Sequence, residues 1–434
     1  MRKISKLSLV AAVAVAGFST ANAQPLEEAI KNVEVSGSVV YRYNDYNNDS
    51  KDTVSTGKAS TTNNNYKIGL NLSSKVNDYV KFNSRFLVGA PSTDGGAPGA
   101  DGNGGFATLD SSGNGDQNVD VTLSHANFAF TGIKNTTVTV GKQGLATPWT
   151  VALDSDGNEQ TGTGVLALST VGPVTFGAGY FNQTNLDHSG DGRAIPALRT
   201  NPNAGANFGK PNYNVDPKDL MTGSEDIAVA AVIADLSPVT LDAWYLDLDN
   251  VFDTYTIGAK SDFKFDGGKI GVDARYVSLT LDDKIADEDN NAIAKIAVTG
   301  NLGIFNAKVA YANTDKDGGL TALDQDAEAT LLGWSITSNG KADADYWQAV
   351  LGVNVLDNLN LSANYGNIQY KLYADNETEV EEEEVYAQLT YKMSKNLNTY
   401  IRYGTYTKEY DKDLGSGKDI NDDLRGRLQV EYTF

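Results

Sequence analysis

"RGRLQVEYTF" (425–434) is the stretch that decides the fold. Leu428, Val430, Tyr432 and Phe434 lie on one face of an extended segment, and Arg427, Gln429, Glu431 and Thr433 on the other. A period of two specifies a β-strand. This strand runs to an aromatic last residue without a cap. An apolar strand left as a free edge invites association with other chains, and pairing it with a further strand removes the edge, as barrel closure does. The expected partner is "VEVSGSVVYRY" (33–43), where Val33, Val35, Val39, Tyr41 and Tyr43 oppose Glu34, Ser36, Ser38 and Arg42.

The same alternation recurs along the chain. Tyr66, Ile68, Leu70 and Leu72 oppose Lys67, Asn71 and Ser73, and Val80, Phe82, Phe86 and Val88 oppose Lys81, Asn83 and Arg85. Short turns such as "SSKVND" (73–78), "TGIKN" (131–135), "TVGP" (170–173) and "FDGG" (265–268) alternate with long polar connections near 47–61, 91–118, 144–162, 183–223, 282–289, 315–342, 375–380 and 411–421. One connection on the long side, near 250–252, is tight. Hairpins with one short end and one long end are the pattern of an all-β transmembrane antiparallel barrel. The count is about 18 strands, with "EATLLGWSIT" (328–337) readable either as an extra strand or as loop. A barrel of that size leaves an aqueous channel. Each strand is expected to turn an apolar face to lipid and a polar face to water.

Composition agrees. Residues 1–23 have a basic start (Arg2, Lys3, Lys6), an apolar run from Leu7 to Phe18 and "ANA" (21–23), the layout of a secretory signal. Residues 24–434 then form a single barrel domain. The formal charge of −21 drops further once those three basic residues are removed, which argues against nucleic acid as a partner. There are no cysteines and only two histidines, His125 and His188. Ser124 and His125 point to opposite faces of a strand and make no catalytic pair. "GKQG" (141–144) lacks the spacing of a phosphate loop. No enzyme is expected.

Several segments resemble one known family. "LSLVAA…ANAQPLEEAIKNVEVSGSVVYRY" (7–43), "GKQ…PW" (141–149), "TGTGV" (161–165) and the closing "RLQVEYTF" are similar to the Campylobacter-type major outer membrane porins. The resemblance implies an 18-stranded trimeric barrel that passes small hydrophilic solutes, prefers cations and can hold calcium at its constriction. It also implies that the third long loop, about 144–162, folds into the lumen. Asp154, Asp156 and Glu159 would then face the water path, where confined carboxylates attract cations. In "DSDGN" (154–158), Asp154, Asp156 and Asn158 alternate around Gly157 with the spacing of a calcium loop, but no twelfth-position glutamate follows. An acidic constriction without metal, a calcium site and an ordinary polar turn all remain open on the sequence.

Arg42, Arg85, Arg402 and Arg427 lie on inward faces of the first, third and last two strands, with Lys81 lower on the same wall. Closure would join them into a basic patch across the throat from the acidic loop. "EVEEEE" (379–384) reads as a solvated rim loop, or as a contact to lipopolysaccharide bridged by divalent ions. The expected function is a passive outer-membrane channel. The alternative is an outer-membrane adhesin or structural surface barrel.

Overall fold

The computed structural model describes residues 32–48, 59–89, 105–109, 120–155, 157, 159–189, 223–282, 290–316, 318–372, 378–411 and 419–434. The secretory signal expected at 1–23, and Asp156 and Asn158 of the expected calcium loop, lie outside the described residues.

One antiparallel sheet contains β1 (Val33–Asn48), β2 (Ala59–Asn77), β3 (Val80–Gly89), β4 (Ala107–Thr108), β5 (Asp120–Ile133), β6 (Thr136–Gly144), β7 (Thr161–Val171), β8 (Val174–Thr184), β9 (Ile227–Asp235) and β10 (Val239–Leu248). It continues through β11 (Phe252–Phe265), β12 (Gly268–Leu281), β13 (Asn290–Leu302), β14 (Phe305–Thr314), β15 (Ala342–Leu356), β16 (Leu359–Lys371), β17 (Glu379–Lys392), β18 (Leu397–Tyr410) and β19 (Asp419–Thr433). A single helical turn, α1 (Leu186–Ser189), follows β8. β4 is a two-residue segment that pairs with Asn65 and Tyr66 of β2, beyond the reach of the short β3. Eighteen strands therefore form the wall, as the alternation of short and long connections implies. Segment 328–337 is loop, with only a Leu332–Thr337 bridge. The tight turn near 250 is made by Asn250 at φ 60°.

The sheet closes where the sequence places the seam. β1 pairs with β19 from Ser38↔Thr433 to Asn48↔Asp423. Beyond that ladder Gly37 N–H donates to the Phe434 carbonyl at 2.9 Å, and Phe434 N–H returns to the Gly37 carbonyl at 3.1 Å. The Phe434 ring lies over Gly37, where a Cβ would come within 2.8 Å of it. No edge remains at either terminal strand.

Polarity is inverted relative to a water-soluble protein. Val121, Leu302 and Leu351 are 65%, 61% and 64% exposed. Arg42, Lys67, Lys81 and Arg85 are buried, pointing inward. Outward Tyr and Phe cluster near both strand ends: Phe263, Phe265 and Phe305 by short turns at one end, and Tyr245, Tyr255 and Tyr276 toward the other end, where β10 and β11 meet at the tight turn near 250 and β12 runs into a longer connection. These are the interfacial girdles of a barrel that spans a bilayer.

Two expectations need correction. The inner face is not polar throughout. Ile227, Leu246, Leu248, Val277, Leu279 and Ile293 point inward and pack with Leu320, Leu323, Leu331 and Ile336 in one buried cluster. The connection 315–341 covers that stretch of wall, so its apolar side chains meet other apolar side chains rather than lumen water. "EVEEEE" is also not a rim loop. It opens β17, with Glu382 and Glu384 turned inward and buried. Glu382 faces Lys408 across the ladder and forms ion pairs with Lys408 at 3.3 Å and with Lys341 at 2.9 Å, which is why a run of like charges is tolerated in a strand.

Candidate functional site

Two connections fold into the barrel and meet there. The first, 145–160, leaves β6 at Gly144. Thr147 and Thr150 share a hydroxyl–hydroxyl contact of 2.7 Å that tightens the turn, and Thr150 also donates to the Leu145 carbonyl. The turn drives the fully buried Trp149 into the apolar cluster. The second, 315–341, lies against the first. Leu323 N–H donates to the Trp149 carbonyl at 2.9 Å, Ala329 N–H to the Pro148 carbonyl at 2.7 Å, and Gln160 Nε2 to the Leu323 carbonyl at 2.9 Å.

Ionic contacts fix both loops to distant parts of the wall. Arg85 holds Glu159 through Nε at 2.9 Å and Nη2 at 2.6 Å, and Ser124 Oγ donates to the same carboxylate at 2.6 Å. Lys67 Nζ donates to the carbonyls of Asp154 and Gly157 at 2.6 and 2.7 Å. Burial tends to raise the Glu159 carboxyl, but the guanidinium of Arg85, the charge of Lys67 and the Ser124 hydroxyl outweigh it and hold Glu159 below the usual carboxylate range. Gly69 makes room for this arrangement, since a Cβ there would sit 2.4 Å from Arg85 Nη2. On the other side Glu328 reaches Lys260 at 2.8 Å and Arg275 at 3.1 Å, and Lys295 donates to the Thr330 carbonyl at 2.8 Å. Burial likewise tends to raise Glu328, and the charges of Lys260, Arg275 and Lys295 pull it lower overall. Glu384 accepts from the backbone amides of Trp334 and Ser335 at 2.9 and 2.7 Å.

The residues expected from sequence fall into two groups. Glu159 does not face open water, because it is 1% exposed and engaged by Arg85. Asp154 is also buried. Arg85 is therefore tied to the acidic loop rather than set across the throat from it, and Lys81 pairs with Glu34 at 2.5 Å. Arg42, Arg402 and Arg427 do share one wall. Arg402 and Arg427 are direct cross-strand partners, and Arg42 Nε donates to Gln429 at 2.8 Å one pleat away. Sequence reasoning missed Lys67, Glu328, Trp334, Glu384 and Arg425. It also missed Asp324 and Asp326, whose carboxylates converge with that of Asp154 so that one oxygen of each lies within 4.8 Å of the others. The apolar residues inside a nominally polar loop, "LTALDQDAEATLLGWSI" (320–336), were the available signal.

The sequence pattern described as Campylobacter major outer membrane protein matches residues 1–434. The chain belongs to that family. No curated protein matches it. Among solved structures, this member of the Campylobacter family resembles Pseudomonas aeruginosa OpdL at TM-score 0.67 and 16% identity, covering 93% of this chain and 99% of that one. P. aeruginosa OccK5 (OpdH) aligns at TM-score 0.63 and 16% identity over 92% and 98% of the two chains. Acinetobacter baumannii OccAB3 aligns at 0.67 and 12% over 92% and 99%. The family places the protein in the bacterial outer membrane as a porin-like barrel, a channel for small solutes.

The calcium implied by the resemblance to the Campylobacter porins can be tested on the donor set. Asp154, Asp324 and Asp326 bring hard carboxylate oxygens from two loops to one point, which suits calcium. The expected partners Asp156 and Asn158 are outside the described residues.

Gly333 offers a direct check on how the second loop docks. A Cβ there would lie 1.9 Å from Glu384 Oε1 and 2.6 Å from the Tyr346 hydroxyl. Gly333→Ala is expected to displace Trp334 and Ser335 from Glu384 at a cost of about 1–3 kcal/mol. Limited proteolysis of the folded barrel should then cut within 315–341 faster than in the parent protein.

Proposed function

We propose that the chain is a passive diffusion channel for ions and small hydrophilic solutes that prefers cations and works as a homotrimer among outer-membrane lipids and lipopolysaccharide. The observation that carries this reading is the pair of inward loops, which bring Asp154, Asp324 and Asp326 together inside an eighteen-strand wall. Asp326 is the exposed member of this set, and Asp154 and Asp324 are buried beside it. Negative charge gathered in a confined, weakly screened passage attracts cations and repels anions more strongly than charge in open water does. The reading assigns no covalent chemistry to any residue; selectivity comes from width and field. Trimer formation is supported by the family resemblance, and light scattering of the detergent complex should return three chains per particle.

Planar bilayers test the channel. Purified, heat-modifiable barrel should give stepwise openings in potassium chloride, with a reversal potential of cation sign across a salt gradient. Two loops inside the lumen are also what a structural or adhesive surface barrel would have, and electrical silence of the folded protein would favour that alternative.

Calcium, when bound by Asp154, Asp324 and Asp326, supplies a cross-link between the two loops. At a hundredfold excess over its dissociation constant it would stabilise the folded protein by about 2.7 kcal/mol. The midpoint of heat modification should therefore fall on chelation in the parent protein but not in Asp324→Asn/Asp326→Asn. Equal midpoints with calcium and with chelator in the parent protein would remove calcium from the account.

A further inference from the structure

Arg402 on β18 and Arg427 on β19 are directly opposite each other in the ladder and on the same inward face. Two like charges in that position repel, so a strand pair that keeps them needs something to balance them. Among the described residues neither forms an ion pair with a carboxylate, although the charge of Glu384 acts on Arg402 from a greater distance. Arg425, on the same face, pairs with Asp423. The two guanidiniums are instead held by neutral groups. Arg402 Nε donates to Gln388 Oε1 at 2.6 Å, and Arg427 Nε donates to Asn44 Oδ1 at 2.7 Å. Each side chain is thereby oriented from behind, through Nε. Arg427 Nη2 makes a long contact of 3.3 Å to the Tyr46 hydroxyl. Both side chains are half-buried on the inward face.

Aromatic rings complete the arrangement. The Trp334 ring centre lies 5.5 Å from Arg402 Cζ and 5.8 Å from Arg427 Cζ, so one indole serves both arginines. Tyr400 and Tyr386 stand 4.8 and 5.3 Å from Arg402 Cζ. Trp334 meets Tyr386 edge-on at 5.2 Å. The indole comes from the inward loop 315–341 and is positioned by Glu384, whose two oxygens accept the Trp334 and Ser335 amides. That carboxylate is committed to the loop backbone.

We propose that Arg402, Arg427 and Trp334 form a capture site, inside the channel, for a small organic carboxylate carrying a flat ring. A planar carboxylate matches the guanidinium fork in two-point hydrogen bonding. It would also balance the cross-strand repulsion. The aromatic rings add an apolar, stacking surface that a chloride or acetate ion does not use. The site gives a channel of mainly acidic character one local basin for such anions. This inference rests on the channel reading above.

The test uses the full-length protein in planar bilayers, with benzoate, acetate or benzyl alcohol added to one side in potassium chloride. Benzoate should interrupt the current at a concentration about tenfold or more below that needed for acetate or benzyl alcohol, since a charged hydrogen bond contributes about 1.5–3 kcal/mol and 1.4 kcal/mol is a factor of ten. Arg402→Gln/Arg427→Gln should raise the half-blocking benzoate concentration about tenfold or more. Arg402→Lys, which keeps the charge but loses the fork, should also weaken benzoate. Trp334→Leu should bring benzoate close to acetate. Lys395→Gln, in the turn 393–396, should change nothing. Heat-modifiable mobility and unchanged opening in potassium chloride confirm that each variant folds. If channels open normally but benzoate blocks the parent and the double glutamine variant alike, or acts no better than benzyl alcohol, the capture site is wrong and the channel reading stands. If folded parent protein opens no channels at all, the channel reading fails and the capture site fails with it.

Discussion

Arg85→Met should loosen the first inward loop and lower the stability of the folded barrel by about 3–5 kcal/mol, the usual cost of removing one partner from a buried ion pair. The cost comes from what is left behind. The Glu159 side chain is 0% exposed and the Arg85 side chain 8%, so deleting the guanidinium leaves a carboxylate with no access to water. Ser124 still donates one hydrogen bond to it, and Lys67 acts only through its charge. The loop can relieve this burden by swinging Glu159 into the lumen, which also breaks the Lys67 contacts to Asp154 and Gly157. Bilayer recordings should show noisier current and altered open levels, and the midpoint of heat modification should fall. Arg85→Met/Glu159→Met should recover most of the stability, because an apolar pair in a dry site has no stranded charge. A double variant as unstable as the single one would mean that Arg85 works by packing and not by pairing. The same pair fixes the pH response. A carboxyl held below its usual range contributes stability that is fully present above the ordinary glutamate range and is lost as pH falls through its lowered value. The parent protein should therefore lose loop docking only in acid, and the double methionine variant should lose this part of the acid sensitivity.

The wall was legible in the sequence because its information is local. Alternation in "RLQVEYTF" and "VEVSGSVVYRY" assigns each side chain to a face, and the order of short and long connections gives the number of crossings. The seam followed from the same logic, since an apolar terminal strand needs a partner. The interior was legible only where it follows from strand phase. Arg402 and Arg427 were placed correctly on one wall because inward phase and ring closure determine it. Glu159 was misplaced because its environment depends on Arg85, 74 positions earlier, and no periodicity records that pairing. "EVEEEE" was misplaced because charge density reads as solvation until the lysines opposite are known, and Lys341 and Lys408 lie far off in the chain. The inward course of 315–341 was missed for a related reason. Its aspartates and glycines resemble a solvated loop, and only the dry cluster of Leu320, Leu323, Leu331 and Ile336 shows why it turns inside. That cluster also explains why part of the inner wall carries apolar residues where an open channel would place polar ones.

Trp149→Ala should have the other large effect, because this side chain belongs to both loops and to the wall. It is fully buried among Leu145, Phe181, Ile227 and Leu323 in the shared cluster. Its carbonyl accepts Leu323 N–H, and its neighbour Pro148 accepts Ala329 N–H, so the backbone on either side of the ring carries the contact between loops. Truncating a buried Trp costs about 3–5 kcal/mol through lost burial and the cavity left behind. Here the cavity opens at the junction of two loops, which can shift to fill it where a strand ladder cannot. The expected result is a barrel that still closes and still resists detergent, since the β1–β19 seam lies far from the cavity in the ladder. Its loops should move independently, with faster proteolysis in both 145–160 and 315–341 and a broadened distribution of conductance levels. The indole N–H has no hydrogen-bond partner among the described residues, so Trp149→Phe should keep most of the packing without stranding a polar group. If alanine and phenylalanine variants gave the parent's proteolysis rate and single conductance level, the two loops would be docking independently of the ring. The interior would then be held mainly by its polar contacts to the wall, those of Arg85, Lys67, Lys260, Arg275, Lys295 and Glu384 among them.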